Sequence, residues 1–338
     1  MFSLVGIGGA GCKVVDAFYK KDPLSSLFSL LAPGKQERLK GVGIDTSETI
    51  SGLKNLPVEN RVLIGSSRAK GHGTGADVEL GRKIMEEEIE LAMNAVRKVN
   101  TEKPEVFFVI AGLGGGTGTG GAPVIAERLR KYYRVPVVGI FMLPSRSEGL
   151  HYIKNVGRYF NEVVSKVDGA IFLDNNVLTS RGEDIARSHA TITATITNFM
   201  SIADPMLVAK EVEGKKGTIG FMRIKEEHIS LKDIIARMLR DHIYINLDEV
   251  KPERVHLLIN GDVRNVYGEG FAVEWVKNKL GAEVSFSSQE VIGSKHLNIG
   301  MIITGVDDII KSYEVKEEQE EKRLSPELED LLEDISPL

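Results

Sequence analysis

The chain alternates short, almost wholly apolar runs with longer stretches in which apolar residues recur every three or four positions. Runs buried on both faces suit a parallel sheet covered by helices, so the alternation predicts an α/β fold. The strands expected in the first half are Phe2 to Gly6, Gly41 to Asp45, Arg61 to Ile64, Val106 to Ala111, Val135 to Met142 and Ala170 to Asp174. Helical spacing predicts helices at Ala10 to Tyr19, over Val78 to Val99, and from Ala122, where Pro123 suits a first turn. Asp22 to Lys40 reads as a partly apolar connection.

Beyond residue 182 the pattern changes. Glu183 to Ile202 reads as one helix of about twenty residues. Its β-branched Thr191, Thr193, Thr195 and Thr197 lower the intrinsic propensity, so tertiary packing has to hold it. Pro205 stops or restarts the chain. Strands at Thr218 to Ile224, Val255 to Asn260, Glu283 to Phe286 and Leu297 to Thr304 then mix with helices at Leu231 to Ile243 and Phe271 to Leu280. The expected division is 1–182 for a Rossmann-like parallel-sheet domain that binds nucleotide, 183–204 for a connecting helix and the loop after it, 205–310 for a smaller α+β domain, and 311–338 for a tail.

Charge sharpens that division. The formal net charge is -5, but Lys311 to Leu338 holds ten acidic and four basic residues, or -6, which leaves the body near +1. A nearly neutral body has no basic stripe, so nucleic acid is not an expected partner. Within the tail, KEEQEEKR reads as a solvated segment, and LEDLLEDI has apolar residues at helical spacing. It reads either as a terminal helix or as a docking peptide for a partner. No window approaches eighteen uncharged apolar residues, so no transmembrane segment is expected. The start, MFSLVGIGG, lacks the basic residues and cleavage site of a signal peptide, and a cytoplasmic location is expected. The single cysteine, Cys12, excludes an internal disulfide framework, and the histidines form no ligand cluster.

The chemistry concentrates in two glycine motifs. In VFFVIAGLGGGTGTGGAP, Val106 to Pro123, six apolar residues run into seven glycines within ten positions. Backbone without Cβ atoms can curl around an anion and aim N–H groups at it, helped by the positive end of the following helix. A flexible linker is the bland reading, but linkers are not fused directly to a strand and a helix. A Walker A motif is excluded, because no lysine follows these glycines. The second motif, GIGGAGCK from Gly6 to Lys13, fits GxGxxG after a strand and before a helix. Alone it also fits a nicotinamide site, with Asp45 as the acidic residue after the second strand. Two phosphate loops on two parallel strands exceed what that site requires.

The pairing of GIGGAG with GGGTGTG resembles the tubulin and FtsZ superfamily of GTP-dependent filament proteins. The run ENRVLIGSSRAKGHGTGADVELG, Glu59 to Gly81, looks like the CetZ branch from archaea, and the likeness extends to about Val306. The resemblance implies a Rossmann-like GTPase domain joined by a central helix to an α+β domain, with GTP or GDP and Mg²⁺ as cofactors. Gly8, Gly9, Ala10, Gly11 and Cys12 then form a first phosphate loop, with Lys13 beginning the helix behind it. Gly114, Gly115, Gly116, Thr117, Gly118, Thr119 and Gly120 form the second. Asp45, Thr46 and Ser47 match the loop after the second strand, and Gly71 to Gly75, with Gly73 inside it, the loop that senses the γ-phosphate. Glu148 falls where the family binds the ribose hydroxyls, and Asn175 where it reads the guanine edge.

The same resemblance implies that hydrolysis needs an acidic residue from the neighbouring subunit, and Asp204 is the candidate, positioned to orient the attacking water. Asp248 in INLDE copies the pattern but comes too late along the chain. The stretch between Asn175 and Asp204 is more than a dozen residues shorter than in the family, so the second base-reading residue is either Asp184 or Asn198, with Asp184 favoured. Plainer readings stand beside these: Cys12 as a small packing residue, Glu148 as a surface acid, Asn175 as a turn residue and Asp204 as a helix cap before Pro205; His72 reads either as touching nucleotide or as a solvent-exposed loop residue, and Arg146 as contacting phosphate or nothing. The implied activity is GTP hydrolysis by head-to-tail self-association into filaments, with a role in cell shape favoured over FtsZ-type division. A nucleotide-dependent scaffold or switch with little hydrolysis is the alternative.

Overall fold

The computed structural model describes residues 1–20, 39–225 and 229–314. Most of the connection expected from Asp22 to Lys40, and the tail from residue 315 onward, lie outside the described residues. Six strands form the first half: β1 Phe2–Ile7, β2 Leu39–Asp45, β3 Arg61–Leu63, β4 Val106–Gly112, β5 Val137–Leu143 and β6 Gly169–Asp174. They pair in parallel in the order β3-β2-β1-β4-β5-β6. Every residue of β5 and β6 is buried, as strands covered on both faces must be. The order reverses between β1 and β4, and the crevice beyond the carboxyl ends of strands at such a reversal is where ligands bind.

Helices cover both faces: α1 Gly8–Phe18, α2 Val78–Glu87, α3 Ile89–Val99, α4 Gly116–Tyr133, α5 Leu150–Ser165, α6 Asn175–Ser180, α7 Ile185–Ile202, α8 Pro205–Val212, α9 Leu231–Arg237 and α10 Glu269–Leu280. Several depart from expectation. The single helix predicted over Val78 to Val99 breaks at Glu88, whose φ of -110° and ψ of 22° are not helical and whose carboxylate accepts from the Gly65 N–H at 3.0 Å. The predicted helix at Leu231 to Ile243 is α-helical only to Arg237 and widens into π-type turns over Met238–His242. Helices α5 and α6 were not among the expected elements, and α8 was foreseen only as the helix that Asp204 caps before Pro205.

Four strands extend the sheet: β7 Lys216–Ile224, β9 Arg254–Gly261, β11 Glu283–Glu290 and β12 Leu297–Thr304; two short strands, β8 Ile229–Ser230 and β10 Val266–Tyr267, pair separately. The α+β part is therefore joined to the first half by the sheet as well as by α7. The whole reads β11-β9-β12-β7-β6-β5-β4-β1-β2-β3, and the junction of β6 with β7 rests on two registered pairs, Ala170 with Lys216 and Ile171 with Gly217. Helix α7 packs its buried face, Ile192, Thr195, Ile196, Phe199 and Met200, behind that junction, which is how a threonine-rich segment stays helical. A last 3₁₀ turn, Asp307–Tyr313, carries the folded chain past residue 310, because Tyr313 is buried at its end.

Candidate nucleotide site

Most of each glycine motif turns out to be helix rather than loop, with Leu113 to Gly115 left as the turn into the second. Helix α1 begins at Gly8 and α4 at Gly116, six residues before the expected Ala122, so Pro123 lies inside the helix. Glycine is a poor helix former, and close approach explains the exception: a Cβ on Gly118 would overlap the Gly112 carbonyl oxygen of β4. Gly8, with φ of +71°, brings α1 so near α4 that its Cβ would stand 3.1 Å from the Gly118 nitrogen. The two helix N-termini thus meet at the point where the strand order reverses. No side chain caps either one, and neither has an acidic residue in its first turn. Two converging helix starts without side-chain caps, with the positive ends of both dipoles, suit an anion.

Around this centre the threonines form a hydroxyl cluster. Thr117 Oγ1 lies 2.7 Å from Thr46 Oγ1 and 3.0 Å from Thr74 Oγ1, all three side chains being buried. An isolated bridge between Ser47 and His72, with hydrogen bonds from the Gly73 N–H to Thr46 O and from the Gly116 N–H to Gly75 O, draws the Gly71 to Gly75 loop onto the same spot. His72 is thereby part of this loop's anchoring. Asn155 on α5 donates to Ala76 O at 2.7 Å and Gly114 O at 2.8 Å, tying that loop to the start of α4. Thr119 points inward, its hydroxyl accepting from the Gly114 N–H at 2.8 Å, so it shapes the turn. Gly9, Ala10 and Gly115 are the accessible backbone of the two starts, and Lys13 is exposed one turn further on.

Cys12 faces the sheet. Its thiol lies 3.5 Å from the carbonyls of Gly6 and Ile44, and burial, with the Asp45 carboxylate nearby, pushes its pKa well above the ordinary range. A thiol held protonated is no nucleophile, and the packing reading is the one the structure bears out. Burial also raises the Asp45 carboxyl, although it accepts from the Thr46 N–H.

The remaining candidates line the carboxyl ends of β5 and β6. Glu148 closes a capping box, Oε1 accepting from the Ser145 N–H at 2.7 Å, and its Oε2 lies 3.6 Å from His189 Nε2. Asn175, the first residue of α6, is buried; its amide donates to Leu143 O at 2.9 Å and accepts from the Ser188 hydroxyl at 3.0 Å. Ser188 and His189, one turn into α7, therefore sit beside Asn175 and Glu148 and were not singled out from sequence. The signal for them is helical spacing after the cap Asp184, which accepts from the Arg187 N–H at 2.8 Å. Asn198 lies fourteen residues on, about 21 Å along the axis, so only Asp184 stands near Asn175.

Asp204 sits at the other end of α7. That helix has 18 residues, about 27 Å, and leads away from the site. Asp204 caps α8, Oδ1 accepting from the Met206 and Leu207 N–H groups at 2.8 and 3.1 Å, and its other oxygen is uncommitted to the cap. Asp248 instead borders a cleft of about 1070 Å³ beside Asp174, Asn176, Arg146, Glu249 and Trp275, on the same side as Asn175. Among the described residues no group of three His, Cys, Asp or Glu side chains is placed to hold a metal. No single helix there is long and apolar enough to cross a membrane.

Asp174 is a buried carboxyl. Burial pushes its pKa from 3.8 to about 6, against hydrogen bonds from Tyr313 and the Asn176 N–H. The folded state then holds the proton more tightly than the unfolded chain does, so this group's contribution to stability falls as pH rises from about 4 to about 6. The gap between 3.8 and about 6 corresponds to roughly 3 kcal/mol. Asp174→Asn keeps an acceptor for the Asn176 N–H and removes the titration. Urea denaturation should show the variant gaining on the wild type by up to about 3 kcal/mol between pH 4 and pH 7.5. A stability difference independent of pH would contradict this.

Residues 2–181 match the family model described as Tubulin/FtsZ family, GTPase domain. The tubulin-like protein CetZ1 of Haloferax volcanii is 39% identical over 206 residues, covering 59% of this chain and 49% of that protein. The chain spans about half the length of the first curated relatives it matches. The solved GDP-bound monomer of Haloferax volcanii CetZ1 superposes with a TM-score of 0.76 at 28% identity, covering 92% of this chain and 97% of that one. The GTPγS-bound protofilament of CetZ2 from the same organism gives 0.74 at 26% identity, covering 92% and 96%. The likeness seen in the two glycine motifs holds across the fold.

Proposed function

The chain belongs to the Tubulin/FtsZ family, and from that premise we propose that it binds GTP and hydrolyses it in head-to-tail filaments whose active sites are shared between subunits. The observation that carries this reading is the separation of two halves of a site. The helix starts of α1 and α4 lie at the carboxyl ends of β1 and β4, and Asp204 lies beyond the whole of α7. A subunit stacked on the first brings its own Asp204 to the exposed phosphate end. Head-to-tail contacts of that kind give open filaments when the rotation between neighbours does not close a ring.

In this reading the backbone of Gly8 to Gly11 and of Gly115, Thr117 and Gly118 holds the phosphates, Glu148 accepts from the ribose, and Asn175, helped by Asp184, reads the base. Asn175 must exchange its bonds to Leu143 and Ser188 for the base edge. The Thr46 and Thr117 hydroxyls, with phosphate oxygens and water, are the donor type that suits Mg²⁺, whose charge offsets that of the phosphates. Asp204 orients water at the γ-phosphate of its neighbour. The cellular role we infer is control of cell shape, which rests on likeness to the CetZ branch, with the protein in the cytoplasm. A second reading, a nucleotide-dependent scaffold with little hydrolysis, draws support from the capping duty of Asp204.

The test is the concentration dependence of phosphate release. Turnover per molecule should rise steeply with protein concentration and then level off as subunits become filamentous. A turnover number constant from high nanomolar to tens of micromolar protein would rule out shared sites.

A further inference from the structure

The 3₁₀ turn Asp307–Tyr313 comes from the far end of the chain yet closes on the base-and-ribose side of the nucleotide site. Tyr313 is buried, its hydroxyl 2.7 Å from Asp174 Oδ1 and 2.9 Å from Pro144 O. Each acceptor begins one of the two turns in question. Asp174 is the N-cap of α6, accepting from the Asn176 N–H at 2.7 Å, and the next residue is Asn175. Pro144 leads directly into the Ser145 to Glu148 capping box. The same turn grips a second time, because Arg146 Nη2 donates to Ser312 O at 3.1 Å, while the Arg146 N–H donates to Asn176 Oδ1 at 3.3 Å. The backbone is pressed in as well: a Cβ on Gly157 of α5 would stand 2.7 Å from Tyr313 O.

We propose that Tyr313 is a positioning residue that fixes the spacing between the Glu148 and Asn175 turns, and so sets affinity for the nucleoside part of the nucleotide. This rests on the nucleotide reading above. A phenol bridging two turns holds both at a defined separation, and its hydrogen bonds go to neither the helix starts nor the hydroxyl cluster. The proton inventory agrees. A phenol has one proton and Pro144 O can only accept, so both contacts are hydrogen bonds only when Asp174 supplies the second proton. The bridge is then complete when Asp174 is protonated and loses one arm when it ionises.

The experiment uses the full chain with Tyr313→Phe, which keeps the ring and removes the bridging oxygen. GDP and GTP affinities should fall together by about five- to tenfold, the size of one lost hydrogen bond, while inorganic tripolyphosphate binds as to wild type. Wild-type affinity for GTP in a folded Tyr313→Phe protein overturns the proposal. So does an equal fall for GTP and tripolyphosphate, which indicates general loosening. Should Tyr313→Phe not fold, Arg146→Ala, which removes the second grip and leaves the Arg146 backbone bond, should give the same selective loss in smaller degree, and a wild-type nucleotide profile there is the overturning result. If the wild type itself binds tripolyphosphate but neither GTP nor GDP, the nucleotide reading fails first, and this proposal with it.

Discussion

Asp204→Asn is expected to lower steady-state GTP hydrolysis by at least about a hundredfold, the lower range for loss of a positioned acid–base group, while GTP affinity stays within about twofold. Asparagine still accepts from the Met206 and Leu207 N–H groups, so α8 keeps its cap and stability is unchanged. Asp204→Ala adds the cap loss, about 1 kcal/mol. The pair thus separates a structural duty from a chemical one. Wild-type hydrolysis by Asp204→Asn would leave the scaffold reading in possession, with Asp204 a helix cap and nothing more.

Gly118→Ala should abolish measurable GTP binding, a loss of more than about a hundredfold, because the added methyl overlaps the Gly112 carbonyl and forces the start of α4 away from Gly8. Gly115→Ala is the control. Nothing stands within 4 Å of a Cβ there and its φ is -73°, so the fold is kept and any change in affinity comes from the methyl meeting the ligand. Titration with a fluorescent GDP analogue and thermal unfolding of both variants decide the matter; near-wild-type binding by Gly118→Ala would mean that the two helix starts do not form the anion site. Mixing Gly118→Ala with Asp204→Asn adds a check on sharing. The first lacks nucleotide but has Asp204, the second the reverse, so a sandwich of the two should regain activity that neither has alone.

Much of this site was legible in the sequence because its parts are local. A run such as Val106 to Ala111, short, rich in Val, Ile and Phe and bounded by glycines, reads as a buried strand, and the glycines directly after it mark backbone that approaches something closely. The cap before Pro205 was legible too, since Asp204 stands one residue before a helix and holds it, whereas Asp184, read as part of the helix, is its cap. What escaped depends on contacts between distant segments. That Gly116 to Gly121 are helical follows from the Gly112 carbonyl and α2 packing against them, which overrides a propensity pointing to a loop. Tyr313 carries no local sign of its partner 139 positions away. Helix α5 is a different case: Ile153, Val156, Phe160 and Val163 have the spacing of a buried helix face, and the pattern was there to be read.

The shallow junction between β6 and β7 has a mechanical meaning. Two registered pairs hold this junction, against three for β2 with β3 at the sheet edge and six or more for every other pairing in that sheet, so the seam between the halves yields first. In the proposed filament, strain carried along the stack is therefore absorbed within each subunit, at a crease that α7 spans like a splint, before it reaches the joints between neighbours.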